Sequence, residues 1–72
     1  MPSKYPVLSP NDVIKALKRI GFDEVSQKGS HKKLSDGTHI VIIPMHNEVY
    51  KGTLKSILSQ AGITLEKLQT LI

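Results

Sequence analysis

The sequence predicts an α+β fold in which helices pack on one face of a three-stranded antiparallel sheet. Apolar residues recur at helical spacing near the start of the chain and again in its last third. Between these segments, the pair Asp36-Gly37 precedes a run rich in β-branched residues, a pattern typical of a β-hairpin. The chain has 72 residues, which is enough for one small core. We therefore expect a flexible tail over residues 1–8 and a single domain over residues 9–72.

The first helix is predicted over Pro10–Ile20. Ser9 can cap its first turn, and Pro10 suits the first helical position, where no backbone N–H is needed. Gly21 then favours the left-handed backbone that ends a helix. The apolar stripe of this helix consists of Val13, Ile14, Leu17 and Ile20.

The next segment lacks the helical period and predicts three strands. They are expected over Glu24–Lys28, His31–Ser35 and Thr38–Ile43. Gly29-Ser30 turns the first strand into the second, Asp36-Gly37 turns the second into the third, and Pro44 ends the third.

A two-residue turn at Asp36-Gly37 fixes the predicted register, with Ser35 opposite Thr38. Alternation then sorts the side chains onto two faces. One face carries Leu34, Val41 and Ile43. The other face carries His31, Lys33, Ile40 and Ile42. The large apolar side chains of the first set favour packing against the helices, which leaves the histidine and the lysine on an open face.

Two helices are predicted after the sheet. Gly52 or Thr53 can cap the second helix, Gly62 ends it, and Thr64 begins a short third helix. The apolar stripe of the second helix consists of Leu54, Ile57, Leu58 and Ala61. That of the third consists of Leu65, Leu68, Leu71 and Ile72.

The composition excludes several classes of protein. The chain has no cysteine, which excludes a disulfide scaffold, a thiolate zinc site and a cysteine nucleophile. No apolar run approaches the roughly 20 residues of a membrane span, so we expect a soluble, cytoplasmic protein. Ten Lys plus Arg against six Asp plus Glu give a net charge of +4, which suits a polyanion such as nucleic acid.

A basic cluster, Lys28-Gly29-Ser30-His31-Lys32-Lys33, lies at the junction of the first two strands. It combines three lysines and one imidazole without any acid. The ammonium groups and the backbone N–H groups of the turn can hold a phosphodiester, while His31 can move a proton near neutral pH. The alternative is a solvated basic turn with a surface histidine.

His46 and two lysines of the second helix are further candidates. His46 can be a second proton-transfer group, a phosphate contact, or a loop histidine bonded to the backbone. Lys51 and Lys55 bracket the start of the helix, where they can bind phosphate or stand as ordinary exposed lysines. We expect no metal, because no helical histidine pair, cysteine or acidic cluster accompanies the three histidines.

Five segments occur in an order that resembles a known family. They are Gly21-Phe22, Gln27-Lys28-Gly29-Ser30-His31, Asp36-Gly37, Ile43-Pro44-Met45-His46 and Lys51-Gly52-Thr53-Leu54-Lys55-Ser56-Ile57-Leu58-Ser59-Gln60-Ala61-Gly62. Their order and spacing resemble the HicA family of small toxins, also called YcfA-like mRNA interferases, from HicA/HicB toxin–antitoxin modules. The resemblance covers about Ser9 to Leu68, and its most specific parts are the Lys-Gly-Ser-His and Lys-Gly-Thr-Leu motifs.

The resemblance implies a double-stranded-RNA-binding-domain-like α-β-β-β-α fold with a short extra C-terminal helix. It also implies a metal-independent endoribonuclease that needs no cofactor, cleaves messenger RNA, arrests translation and is bound by a HicB-like antitoxin. The functional histidine of the family falls on His31, and its glycine-serine pair falls on Gly29 and Ser30. Pro44 and His46 match a Pro-x-His motif without an assigned role.

We therefore expect an endoribonuclease toxin in which His31 is a general base or acid in cleavage by the ribose 2′-hydroxyl, which leaves a 2′,3′-cyclic phosphate. The predicted RNA-binding residues are Lys28, Gly29, Ser30, Lys32, Lys33, Lys51 and Lys55, with His46 as an auxiliary candidate. The alternatives are a non-catalytic RNA-binding module that uses the same basic surface and a protein-interaction domain.

Overall fold

The computed structural model describes residues 5–72, and residues 1–4 of the predicted tail lie outside the described residues. The described elements are α1 (Pro10–Lys18), β1 (Asp23–Lys28), β2 (His31–Ser35), β3 (Ile40–Pro44), α2 (Lys51–Ala61) and α3 (Leu65–Gln69). The strands form one antiparallel sheet in the order β1-β2-β3. The predicted α+β class and the element order are confirmed. No helix within residues 5–72 has the length and apolar character needed to cross a membrane.

α1 begins as the sequence predicts and ends earlier. The Ser9 side chain accepts a hydrogen bond from the Asp12 backbone N–H at 3.1 Å, and a proline occupies the first turn. The helix ends at Lys18, short of the predicted Ile20. The Ile20 N–H bonds to the Leu17 carbonyl, three residues back, at 3.1 Å. The final turn is therefore tighter than an α-helix and does not continue it.

The hairpin between β2 and β3 is centred one residue later than predicted. Ser35 pairs with Ile40 and not with Thr38, so Gly37-Thr38 forms the centre of the turn in place of Asp36-Gly37. The predicted register is therefore wrong by two positions along β3. Because side chains alternate with a period of two, this even shift leaves each side chain on its predicted face.

The side chain of Asp36 explains where the turn is centred. Its Oδ1 accepts hydrogen bonds from the backbone N–H groups of His39 at 2.6 Å and of Thr38 at 2.8 Å. The bond from His39, followed by that from Thr38, lowers the pKa of Asp36 to about 2. Gly37 has a φ of 94°, which other residues rarely adopt. Asp36 therefore closes the turn from the position before its centre.

The two faces of the sheet have the predicted compositions. Leu34, Val41 and Ile43 are fully buried on the helical side, whereas His31 and Lys33 are exposed on the other. The largest buried side chains within residues 5–72 include Phe22, Leu17, Leu34, Ile43, Leu54, Ile57 and Leu68. The core therefore lies between the sheet and the helices, and the opposite face of the sheet remains accessible to solvent.

α2 starts earlier than predicted. Tyr50 stands at the N-cap position, so the prediction of Gly52 or Thr53 as the cap is wrong. The first helical hydrogen bond runs from the Leu54 N–H to the Tyr50 carbonyl at 2.8 Å. The helix thus begins before the glycine and the threonine that could have capped it.

Residues 5–8, part of the predicted tail, contact the rest of the domain. Leu8 and Val49 form an isolated antiparallel bridge with hydrogen bonds of 3.3 and 2.7 Å. Tyr5 and Leu8 are partly buried against the core. The bridge fixes Val49 just before α2, which explains why the helix begins immediately afterwards. The contacts of the domain therefore start before Ser9.

The predicted end of α2 and start of α3 are confirmed. Gly62 has a φ of 71°, and its N–H bonds to the Leu58 carbonyl at 2.9 Å. The Thr64 side chain accepts a hydrogen bond from the Lys67 N–H at 3.1 Å. Ile72 lies beyond the end of α3 and is 54% exposed, so its predicted place in the apolar stripe is wrong.

Glu24 links β1 to α1 and to β2. Its carboxylate accepts a hydrogen bond from Lys18 Nζ of α1 at 2.6 Å, and it lies 2.6 Å from Lys32 Nζ of β2. The contact with Lys18, followed by that with Lys32, lowers the pKa of Glu24 to about 2. Every residue of β1 is exposed, so the strand contributes little to the core. Its charged contacts therefore supplement the hydrogen bonds that it shares with β2.

We expect Glu24→Gln to destabilise the fold at neutral pH and to have little effect in strong acid. The pKa of Glu24 is about 2 in the fold, against an ordinary value of 4.5. The carboxylate therefore stabilises the fold above pH 4.5 and loses that contribution as the pH falls through about 2.

Urea unfolding at neutral pH and below about pH 2 measures the free energy of unfolding of wild type and variant. Glu48→Gln is the matched control, because it also removes one exposed carboxylate. A destabilisation by Glu24→Gln that is equally large at both pH values contradicts the assignment.

Candidate functional site

The face of the sheet opposite the helices, here called the open face, carries a cleft. The cleft is lined by Ser26, Lys28, Gly29, His31, Lys33 and Ile42. Two lysines, one glycine and the histidine of this lining belong to the basic cluster that the sequence singled out. The cleft therefore contains the central part of the predicted site.

The turn between β1 and β2 brings the polar residues of the cleft together. It is a two-residue turn at Gly29-Ser30, and its glycine has a φ of 59°. Lys28 consequently pairs with His31, and Ser26 pairs with Lys33. Because paired residues of an antiparallel ladder share a face, both lysines and the histidine surround one cleft.

Two predicted RNA-binding residues of the cluster lie outside the lining of the cleft. Lys32 lies on the helical side of the sheet, where its Nζ is 2.6 Å from Glu24 Oε1 and its side chain is only 20% exposed. Ser30 is half-buried, and its carbonyl accepts a hydrogen bond from the Met45 N–H at 2.6 Å. Lys32 thus has a structural contact, and Ser30 anchors another segment to the turn.

His46 lies beside His31. The two ring centroids are 6.3 Å apart, and the ring planes are inclined by 68°. Both residues are exposed. The hydrogen bond from Met45 to Ser30 anchors the loop after β3 to the β1–β2 turn, and Pro44 pairs with His31 at the end of the ladder. The backbone of the loop therefore carries His46 to the edge of the cleft.

Lys51 and Lys55 form a second basic position, outside the cleft lining. Their Nζ atoms lie 5.6 and 6.0 Å from the centroid of the Tyr5 ring. The negative face of an aromatic ring attracts cations, so this ring holds both lysines near the start of α2. The contact was not predicted, because Tyr5 was assigned to the tail.

His39 lies at the other end of β2 from His31. Its Nδ1 is 3.2 Å from Asp36 Oδ2 in the β2–β3 turn. Its Nε2 faces Gly62, where an added Cβ would lie only 2.8 Å away. The third histidine therefore connects the hairpin to the end of α2 and does not join the cleft.

Two residues that line the cleft were absent from the predicted site. Ser26 stands opposite Lys33, which could have been found by counting outward from the Gly29-Ser30 turn. Ile42 also pairs with Lys33 and is half-buried. Its backbone N–H bonds to Gln60 Oε1 of α2 at 2.9 Å, which ties this part of β3 to the helix.

The chemistry of the cleft follows from its lining, which contains two cations and an imidazole but no carboxylate. The ammonium groups attract an anion, and the imidazole can transfer protons. Within residues 5–72, no group of three or more His, Asp or Glu side chains is placed to hold a metal ion. The arrangement therefore suits a phosphate-bearing ligand and proton transfer at that ligand.

Together, the fold and the cleft define a small basic α+β domain with a cationic, histidine-bearing cleft on its open sheet face. Residues 10–63 match the family described as the HicA toxin of bacterial toxin–antitoxin. The chain therefore belongs to the HicA toxin family, and the resemblance of its motifs is confirmed. A comparison with curated proteins yielded no match. Family membership makes this protein the toxin of a toxin–antitoxin pair and implies an antitoxin partner.

The matched segment runs from the start of α1 to the residue after Gly62. It contains every residue of the cleft lining, as well as His46 and both lysines of α2. α3 lies beyond it. The family match therefore covers the whole candidate site.

Proposed function

We propose that this toxin is an endoribonuclease that cleaves messenger RNA and thereby arrests translation. The observation that carries the proposal is the cleft in which His31 lies with Lys28 and Lys33 on an accessible sheet face. Cations beside a proton-transfer group are what the cleavage of a phosphodiester by its own ribose requires. The proposal also rests on membership of a toxin family.

In the proposed mechanism, His31 acts either as a general base that takes the proton of the ribose 2′-hydroxyl or as a general acid that gives a proton to the departing 5′-oxygen. The 2′-oxygen bonds to phosphorus, the bond from phosphorus to the 5′-oxygen breaks, and a 2′,3′-cyclic phosphate remains. Lys28 and Lys33 hold the phosphate and stabilise the charge that develops on it. The backbone N–H groups of Gly29 and Ser30 are placed in the same turn and supply further contacts to the anion. The reaction needs no metal ion.

Lys51 and Lys55 are proposed to bind phosphates of the same RNA outside the cleft. Their shared contact with Tyr5 keeps the two charges together near the start of α2. Several separate phosphate contacts are typical of proteins that hold a nucleic-acid backbone. Lys32 is left out of this set, because it forms an ion pair with Glu24 on the helical side.

The proposed partner is a HicB-like antitoxin that covers the open face. Ile40 is 56% exposed at the hairpin end of this face, and Ile42 is half-buried beside the cleft. A partner with apolar side chains for these isoleucines and carboxylates for Lys28 and Lys33 would match the surface. Such a partner would block the RNA site by occupying it.

We expect His31→Ala to slow RNA cleavage by at least about 10²-fold, since general acid–base catalysis contributes that much. The substrate is a single-stranded RNA, and the readout is the rate of formation of ends with a 2′,3′-cyclic phosphate. DNA of the same sequence should stay intact because it lacks the 2′-hydroxyl. A metal chelator should leave the wild-type rate unchanged.

His39→Gln is the matched control, because this histidine lies in the β2–β3 turn and outside the lining of the cleft. Thermal unfolding checks that His31→Ala folds, as expected for an exposed residue. Equal rates for His31→Ala and wild type would remove His31 from the mechanism. RNA binding without cleavage by the wild type would favour the non-catalytic RNA-binding module.

Lys33→Ala should reduce the salt dependence of RNA binding, whereas Lys32→Ala should not. The two lysines are adjacent, but the first lines the cleft and the second pairs with Glu24. Loss of one phosphate contact lowers the slope of log K against log salt by roughly one. Affinity measured over a range of salt concentrations gives this slope, and equal slopes for the two variants would contradict the assignment.

Ile40→Asp should weaken antitoxin binding by at least about tenfold, because a charge replaces an apolar contact in the covered face. Val7→Asp is the control, since Val7 is 58% exposed and lies outside the sheet. Titration of each variant with the purified antitoxin measures the Kd. A larger loss with Val7→Asp than with Ile40→Asp would place the antitoxin on another surface.

A further inference from the structure

The cleft has a second imidazole at its edge that the mechanism above does not use. His31 and His46 are both exposed, and their ring centroids are 6.3 Å apart. The rings are inclined by 68° and so are not stacked on each other. A group can therefore approach both rings from solvent at the same time.

The backbone fixes this juxtaposition. Pro44, at the end of β3, pairs with His31 at the start of β2. The next residue, Met45, donates its backbone N–H to the Ser30 carbonyl at 2.6 Å. His46 follows immediately, so its backbone is held against the turn that also presents His31.

The reaction proposed for the cleft needs two proton transfers. One group must take the proton of the 2′-hydroxyl, and another must give a proton to the departing 5′-oxygen. A single imidazole cannot be in both protonation states at once. Each group must come within about 2.6 to 3.2 Å of its oxygen, and two rings 6.3 Å apart can both reach one phosphodiester lying between them.

Building on the ribonuclease activity proposed above, we infer that His46 is the general acid and His31 the general base of one concerted pair. Neutral His31 takes the proton of the 2′-hydroxyl as the 2′-oxygen bonds to phosphorus. Protonated His46 gives its proton to the 5′-oxygen as the bond from phosphorus to that oxygen breaks. The reaction leaves His31 protonated and His46 neutral, so protons and charges balance.

The roles are assigned from position. His31 lines the cleft between Lys28 and Lys33, where the phosphate and its ribose are held. His46 lies on the loop at the edge of the cleft, outside the lining, and the proposal puts the departing 5′-oxygen on this side of the phosphate. The loop histidine is therefore placed at the leaving group and the strand histidine at the attacking group.

A substrate with a better leaving group tests the assignment. The probe is an oligonucleotide with one ribonucleotide whose bridging 5′-oxygen is replaced by sulfur, since a thiolate departs without being protonated. It is compared with the same oligonucleotide containing oxygen, using wild type, His46→Ala, His46→Gln and His31→Ala. His39→Gln, in the β2–β3 turn, serves as the control.

We expect His46→Ala and His46→Gln to cleave the oxygen substrate at least about 10²-fold more slowly than wild type. On the sulfur substrate, both variants should regain nearly the wild-type rate. His31→Ala should be slow on both substrates, because the 2′-hydroxyl must still lose its proton. His39→Gln should match wild type on both.

An equal loss on both substrates would make His46 a phosphate contact or a structural residue and would overturn the inference. Wild-type rates for His46→Gln on the oxygen substrate would also overturn it, because an amide can donate a hydrogen bond but cannot transfer a proton. Rescue of His31→Ala by sulfur would reverse the roles. A wild type that cleaves neither substrate contradicts the ribonuclease proposal itself, which separates the two failures.

Discussion

The site depends on the two-residue turn at Gly29-Ser30 and on one hydrogen bond, in which the Ser30 carbonyl accepts from the Met45 backbone N–H. The turn sets Lys28 opposite His31 and therefore builds one side of the cleft. The hydrogen bond returns the chain after β3 to the same turn and brings His46 to 6.3 Å from His31. Two segments distant in sequence thus meet at one short piece of backbone.

Because side chains alternate between the two faces of a strand, the adjacent Lys32 and Lys33 lie on opposite sides of the sheet and have different contacts. Lys33 lies on the open face, where its charge is available to an anion, while Lys32 faces the helical side and meets Glu24. The same carboxylate binds Lys18 of α1, so one acid holds the exposed β1 strand to two elements. Because this acid lies on the helical side, its negative charge stays off the lining of the cleft.

Local signals predicted most of the fold. Ser9, Thr64 and Gly62 act at helix ends as their residue types suggest, and the helical and strand periods gave the order of the elements. The hairpin centre was missed because the Asp36 side chain accepts hydrogen bonds from the backbone N–H groups of Thr38 and His39, which centres the turn one residue after the Asp-Gly pair. The start of α2 was missed because a bridge to Leu8 sets it, and periodicity carries no signal of such a contact.

The site was less predictable than the fold, because it needs contacts between distant segments. A run of basic residues indicated the region of the candidate site, but it did not separate Lys32 from its neighbours or predict that His46 lies beside His31.

The layout of the sheet connects the proposed RNA site with the proposed antitoxin surface. With its helices on one side, the sheet leaves the cleft and the exposed Ile40 on a single face. A partner that buries this isoleucine, as proposed above, would share a face with the residues proposed to bind RNA, and could therefore cover both without a conformational change in the toxin.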